Sequence, residues 1–308
     1  MSEFDLVVGA GPVGSATAAR LREDGHDVVV ATRSGRQPAL DGVRRVALDA
    51  SDADALTAAA RGARALFNCA NPGDYTQWET VWPPLAESLL LAAERSGATL
   101  VTAAALYPYG PVDGPMVEGM PDRATDHKGR LRARMWAEAK ARHDAGRIRA
   151  VEVRASDYVG AGVRANGHLT RQLPTAVRGR AAWVIGDPDL PHSWTDVHDM
   201  ARTLVAVADR ADAWGQVWHA PTAAPRSQRE GLADVLAVLG RGPVAMHTLP
   251  APLLSAVGLF SPLVREINES GYMFRRPYVL SSAHTEQALG LAPADWSDTC
   301  RRTADGNG

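Results

Sequence analysis

The chain has 308 residues, 45% of them hydrophobic and 22% charged, with a formal net charge of −2. That is the balance of a soluble globular protein, long enough to bury the core of one large domain or two closely joined ones, and it offers neither nucleic acid nor an acidic membrane surface anything to favour. Cys69 and Cys300 make neither a disulfide framework nor a zinc site, and no run of 18 apolar residues marks a membrane span. The acidic, strand-like opening does not read as a signal peptide, so the expectation is a reducing cytoplasm. Two lysines against 31 arginines read as the codon bias of a G+C-rich bacterial genome.

In chain order, "FDLVVGA" (4–10) reads as a strand and "PVGSATAARLRED" (12–24) as a helix ended by Gly25. "DVVVAT" (27–32) and "GVRRVALD" (42–49) are the next strands, followed by a helix from Ser51 with Asp52 and Asp54 in its first turn. "RALFNCA" (64–70) is a fourth strand. The stretch 76–96 is helical, with Pro83 and Pro84 expected at a turn or kink. "ATLVTAAA" (98–105) is a fifth strand, 125–145 a long helix ended by Gly146, and "IRAVEVRAS" (148–156) a sixth strand. Continuous apolar strands alternating with helices predict a parallel sheet covered on both faces, a Rossmann-type doubly wound α/β fold.

After residue 160 the rhythm changes. "AAWVIGDPDLPHSWTDVHDMARTLVAVA" holds a strand, a turn and a helix capped near Asp196. Residues 226–308 lack βαβ regularity. The expected division is a dinucleotide-binding domain over 1–160, to which 190–220 returns, and a smaller C-terminal α/β substrate-binding region from 161–189 and 221–308. The tail "TADGNG" is expected to be disordered.

"VVGAGPVGSA" carries Gly9, Gly11 and Gly14 as G-x-G-x-x-G around Pro12 and Val13, after a strand and at the start of a helix. Gly9 permits a tight turn, Gly11 lets backbone approach a pyrophosphate, and Gly14 lets helix pack on strand; the helix N-terminus then offers free N–H groups to phosphate. An NAD enzyme usually carries Asp or Glu at the end of the second strand. Here Thr32, Arg33, Ser34 and Arg36 stand instead, the donors a 2′-phosphate needs, so NADP(H) is the predicted cofactor.

The order of these motifs, with "LDASD" after the third strand, "NCANP" after the fourth, "YPYGP" after the fifth, "VRASDYVGAG" after the sixth, and then "SWTDVHDMA", resembles the short-chain dehydrogenase/reductases in their extended or atypical branch, the NAD-dependent epimerase/dehydratase family. The resemblance implies that Asp49 and Ala50 flank adenine. It implies that Asn68, Cys69 and Ala70 pass along the ribose and nicotinamide side, with Ala103 beside them and 156–162 near the nicotinamide.

It also implies a Ser/Thr at the end of the fifth strand and a Tyr-x-x-x-Lys on the long helix. Here the strand ends in Ala103, Ala104 and Ala105, and no tyrosine lies between Tyr109 and Tyr158. Family spacing puts Ala105 in the Ser position and the Tyr and Lys near Arg130 and Arg134. Arginine holds its proton, so it can stabilise an oxyanion or grip an acidic substrate but cannot act as a general acid. Tyr107, Tyr109, Tyr158, His127 and Lys128 are the candidate stand-ins, and Trp194 a candidate wall of the substrate pocket along with Tyr109 and Tyr158. The carboxylate pairs Asp49/Asp52 and Asp196/Asp199 are not expected to bind metal; Asp52 and Asp196 read as helix starts.

The expected function is an NADP(H)-dependent oxidoreductase or epimerase/dehydratase-type enzyme acting on a small organic carbonyl or alcohol in secondary metabolism, with a non-standard proton donor. A redox-neutral isomerase or cyclase and a non-catalytic NADP(H)-binding redox sensor stand as alternatives. A homodimer through helices 85–95 and 130–145 is a further expectation.

Overall fold

All six expected strands form, each within two residues of its expected ends. They are β1 (Phe4–Val8), β2 (Asp27–Thr32), β3 (Val43–Ala47), β4 (Ala63–Asn68), β5 (Thr99–Ala105) and β6 (Ala150–Ala155). Shorter strands come after them: β7 (Asp157–Val159), β8 (Ala182–Val184), β9 (Trp194–Asp196), β10 (Val217–His219) and β11 (Met246–Thr248). The computed structural model describes residues 3–35, 40–250 and 269–306.

One seven-stranded sheet runs in the order β10-β6-β5-β4-β1-β2-β3, with every neighbouring pair parallel. Strand order reverses between β1 and β4, and a crevice at such a reversal, above the carboxyl ends of the strands, is where open α/β sheets bind ligands. The register sets Val8 opposite Asn68 there.

Helices cover both faces. On one lie α1 (Pro12–Glu23) and, further along the chain, a helix at Val197–Ala208. Val7, Phe67, Val101 and Val153 pack beneath them with Leu21 and Leu204. On the other face lie α2 (Ala53–Ala60), α3 (Trp78–Ser96) and α4 (His127–Asp144), over Leu6, Leu66 and Leu100. Each leucine taken fully out of water contributes about 2 kcal/mol. Asp52 caps α2 by accepting from the Asp54 and Ala55 amides, as its place in the sequence predicts. Pro83 and Pro84 neither break nor end α3. Both lie on its exposed side, and the buried side, with Trp78, Trp82, Leu85 and Leu89, carries the helix across the two lost amide donors.

The remaining α-helices among the described residues are α5 (Leu173–Ala176), α6 (Val197–Ala208), which is the helix on the first face and is capped by Asp196, then α7 (Gln228–Val238), α8 (Ala283–Leu289) and α9 (Trp296–Asp305). A third core forms over the carboxyl edge of the sheet from Leu106, Met116, Leu169, Leu232 and Phe274 among others. Two strand pairs frame it, β7 with β9 and β8 with β11. The tail departs from expectation. Helix α9 runs to Asp305, and Thr303, fully buried, donates to the Thr299 carbonyl and accepts from the Gly160 amide. The bond from Gly160 ties the last helix to the turn after β7. Asn307 and Gly308 lie outside the described residues.

Candidate active site

The glycine loop has the geometry its pattern predicts. Gly9 has φ +96°, and a Cβ on Gly14 would stand 2.0 Å from the Gly9 carbonyl oxygen, so only glycine lets α1 pack this closely on the β1 turn. Gly11 is different: a Cβ there would meet nothing within 4 Å, because open space lies over the start of α1. Gly11 is the N-cap, no side chain caps the helix, and Pro12 opens it, with Val13 buried behind. Uncapped amides facing open space fit a pyrophosphate.

Around this cradle, Thr32 is half-buried at the end of β2, and Arg33 and Ser34 are exposed just beyond it. Arg36 lies outside the described residues. Asp49 accepts from the Ser51 hydroxyl and amide; these bonds, with Arg33 nearby, hold its carboxyl below the ordinary range. Ala50 is half-buried beside it. Asn68 is buried at the end of β4 and its Oδ1 accepts from the Ala70 amide at 3.3 Å. Cys69 comes next, its thiol pushed up to about 12 by burial and turned toward Thr17, which makes it a packing group rather than a nucleophile.

The start of α4 is where the expected and observed sites part. Asp126 caps the helix by accepting from the Gly129 amide at 2.8 Å. A Cβ on Gly129 would stand 2.5 Å from the Tyr107 carbonyl oxygen, so this glycine lets the first turn press against the 3-10 turn Tyr107–Tyr109. The face pressed inward carries Lys128 and Arg132, 3% and 6% exposed. They are four residues apart, hence on one side of the helix. Arg130 and Arg134 point outward: Arg130 bonds the Thr125 carbonyl, and Arg134 pairs with Glu79 at 3.4 Å with 60% of its side chain exposed. The inward-facing cations of α4 are therefore Lys128 and Arg132, each two residues before the positions expected at Arg130 and Arg134.

Lys128 stands over the ring of Tyr75, its ammonium 5.0 Å from the centroid. Arg132 lies over Trp82 at 4.3 Å and donates from Nη2 to the Ala103 carbonyl at 3.1 Å. Its Nη1 is buried with no hydrogen-bond partner, and burial lowers its pKa. An orphaned donor beside the end of β5 fits a ligand oxygen in the crevice.

The other candidates divide. Tyr107 is half-buried and its hydroxyl pairs with Tyr75; burial, then the Tyr75 neighbour, raises its pKa well above the ordinary value. Tyr158 is half-buried and also raised by burial, with Cys69 and Arg132 among the groups it feels. Tyr109 is turned away. It is 1% exposed, its hydroxyl bonds His219 Nε2 at 2.8 Å, and Arg154 covers its ring at 4.5 Å. Burial pushes it up to about 12. His127 pairs with Glu269, whose Oε1 also accepts the His127 amide at 3.0 Å. Trp194 is 2% exposed, behind the ring of His192. Asp196 and Asp199 are occupied by structural bonds: Asp196 by the α6 cap and Arg302, Asp199 by Arg202 and the Ala294 amide. Among the described residues no group of three His, Cys, Asp or Glu could hold a metal ion, and no helix is long and apolar enough to cross a membrane.

Residues 6–219 match the model of the NAD dependent epimerase/dehydratase family. The chain belongs to that family. No curated protein sequence matches it. Among solved structures it is similar to MoeE5 in complex with UDP-glucose and NAD, at 20% identity over 98% of both chains and a TM-score of 0.78. It is similar to dTDP-glucose 4,6-dehydratase from Bacillus anthracis in complex with NAD, at 15% identity over 99% of this chain and 96% of that one, TM-score 0.79. UDP-glucuronic acid 4-epimerase from Bacillus cereus in complex with NAD matches at 15% identity, 98% and 95% coverage and a TM-score of 0.78. At these identities the likeness is one of fold.

Membership frames what the sequence reading missed. Arg132 was legible: the apolar stripe Leu131, Met135, Ala139 marks the inner face of α4, and 128 and 132 flank it whereas 130 and 134 do not. The second omission is a cluster of Asp157, His168 and His192, in which His192 Nε2 donates to Asp157 Oδ2 at 2.7 Å. Its members lie on β7 and in two loops, so no spacing announces it.

Proposed function

We propose that the chain is an NADP(H)-dependent enzyme of the epimerase/dehydratase family that acts on a small organic carbonyl or alcohol, with Lys128 in the place of the family's tyrosine and Arg132 in the place of its lysine. The observation that carries this reading is the inward-facing pair itself, two cations one helical turn apart beside the end of β5. When bound, the dinucleotide supplies a hydride donor or acceptor. Lys128 carries a proton that it gives to a developing alkoxide, or takes from a substrate hydroxyl in the reverse direction. Arg132 keeps its own proton and offers Nη1 to a ligand oxygen. Ala105 brings no hydroxyl to the site, so the substrate oxygen rests on Lys128 rather than on a Ser/Lys pair. Preorganised charge of this kind acts strongly in a site shielded from water.

The residues at the end of β2 support the choice of NADP(H). Thr32, Arg33 and Ser34 offer hydroxyl and guanidinium donors where an acidic residue would repel a 2′-phosphate. Fluorescence titration with NADPH and NADH tests it. A preference of about tenfold for NADPH, or roughly 1.4 kcal/mol, is expected; equal affinity overturns the NADP(H) assignment, and binding of neither overturns the redox reading. A carbonyl screen that consumes NADPH then separates net reduction from a redox-neutral turnover, in which substrate changes and NADPH does not.

A further inference from the structure

Asp157 opens β7, the strand whose Val159 enters the third core, and its two carboxylate oxygens are treated differently. Oδ2 accepts from His192 Nε2 at 2.7 Å. His192 is 2% exposed and cannot turn, because its ring stacks on Phe274 at 4.9 Å and 6° and on Tyr278 at 5.2 Å. It braces the carboxylate. Oδ1 instead faces His168 Nε2 across 3.8 Å, too far for a hydrogen bond. Both groups stay within reach of solvent, with 16% of the Asp157 side chain and 24% of the His168 side chain exposed. His168 is steadied by Phe274, ring centroids 4.4 Å apart.

A hydroxyl oxygen set to one side of the line between them, about 2.8 Å from each, bridges the two with ordinary hydrogen bonds, donating to Oδ1 and accepting from Nε2–H. The surroundings suit such a ligand. Tyr107 and Tyr75 bring their paired hydroxyls toward Asp157, and the Tyr272 hydroxyl is buried without a partner. Lys128 and Arg171 supply the nearby positive charge. The mechanism proposed for hydride transfer uses none of Asp157, His168 and His192.

We propose that Asp157 Oδ1 and His168 Nε2 form a hydroxyl-binding site, with His192 as its positioning residue, so that the substrates taken are carbonyl compounds that also carry a hydroxyl. The carbonyl half of this statement rests on the proposed function; the hydroxyl half stands on the cluster alone.

The test uses the full chain labelled with 15N-histidine, titrated with hydroxyacetone and with butanone, which has a methyl where the first has a hydroxyl. Imidazole resonances are monitored with and without NADPH, and NADPH binding is read by fluorescence in the same samples. Hydroxyacetone is expected to shift His168 and His192 saturably, and butanone to bind at least about tenfold more weakly, the loss expected when a buried polar site meets an analogue lacking the hydroxyl. Asp157→Asn and His168→Gln are each expected to weaken the hydroxyacetone response by a similar factor. His284→Gln, whose ring stacks on Trp218 away from the cluster, leaves it intact. Should Asp157→Asn not fold, the partly exposed His168→Gln carries the comparison. Equal responses to the two ketones, no saturable response to hydroxyacetone, or a response that survives substitution overturns the site. Histidine shifts without NADPH binding would sink the dinucleotide reading alone, and NADPH binding with silent histidines would sink the site alone.

Discussion

A phenol and an ammonium do different work in the same place. The tyrosine implied by the family donates a proton and becomes an anion, steadied by its lysine; in the proposed reading Lys128 donates a proton and becomes neutral. Lys128→Met removes the transferable proton while keeping the packing over Tyr75. It is expected to lower turnover by about 10²–10⁴-fold, the usual worth of a general acid, with NADPH binding retained. Arg130→Ala and Arg134→Ala act on the outer face and are expected to leave turnover unchanged. Initial rates on the first carbonyl compound reduced decide between the two registers. If the outer pair proves essential, the assignment of Lys128 and Arg132 fails.

His168 makes a pH prediction of definite sign. Burial, the largest cause, with Arg171, His192 and Lys128 adding to it, pushes the imidazole down to about 4, against the raising effect of Asp157. The folded chain therefore resists a proton that the unfolded chain accepts from pH 6.5 downward. Stability from this group is complete above pH 6.5 and is lost as pH falls toward 4, by up to about 3 kcal/mol. Burial works to raise Asp157, but His168, the His192 bond and Arg171 outweigh it and keep the carboxylate ionised across that window. Urea unfolding at pH 7 and at pH 4.5 is expected to show a smaller drop in His168→Gln than in the parent chain. Equal drops would mean that the imidazole titrates freely in the fold.

Helix entries set the site, and two glycines show how. Gly11 has φ −69° and nothing within 4 Å of a Cβ, so Gly11→Ala is expected to leave thermal stability unchanged while NADPH affinity falls at least tenfold, the methyl group standing where the pyrophosphate must approach. Gly14→Ala meets the Gly9 carbonyl at 2.0 Å and is expected to lose both, with stability down by about 1–3 kcal/mol as α1 is pushed off β1. Thermal melting and NADPH titration of both variants separate a ligand cradle from a glycine-rich turn with no ligand, because a structural turn would leave Gly11→Ala silent in both. These elements were legible in the sequence because strand and helix periods are local: β1, α1 and β2 come from runs of apolar residues and a glycine motif. The register of α4 was harder, since the segment between Tyr109 and Asp126 has no period to count along; only the cap at Asp126, the close-packed Gly129 and the stripe through Leu131 fix it. Asp157, His168 and His192 were out of reach, because loops bring them together and aromatic stacking, not sequence spacing, aims them.

The same accounting of faces bears on assembly. The sequence offers the Ala/Leu-rich part of α3 for pairing with a second copy, but that face is already used: Leu85, Leu89, Leu90, Ala92 and Ala93 are buried against the sheet and α2 of the same chain. The outer faces of α3 and α4 carry charge, joined in pairs such as Arg134–Glu79 and Arg142–Glu87 across the two helices. Among the described residues the large apolar side chains left exposed are Val117, Trp183, Val238 and Leu239, and none lies on α3 or α4. An obligate dimer needs a broad apolar interface, and ion pairs already satisfied within one chain supply little drive toward another. Sedimentation at micromolar concentration is therefore expected to give the mass of a single chain, 32.8 kDa. A doubled mass that persists in 1 M salt, where surface charge is screened within about 3 Å, would show apolar pairing and overturn this; Trp183→Ala then tests whether the contact runs through the exposed side of β8 rather than through α3 and α4.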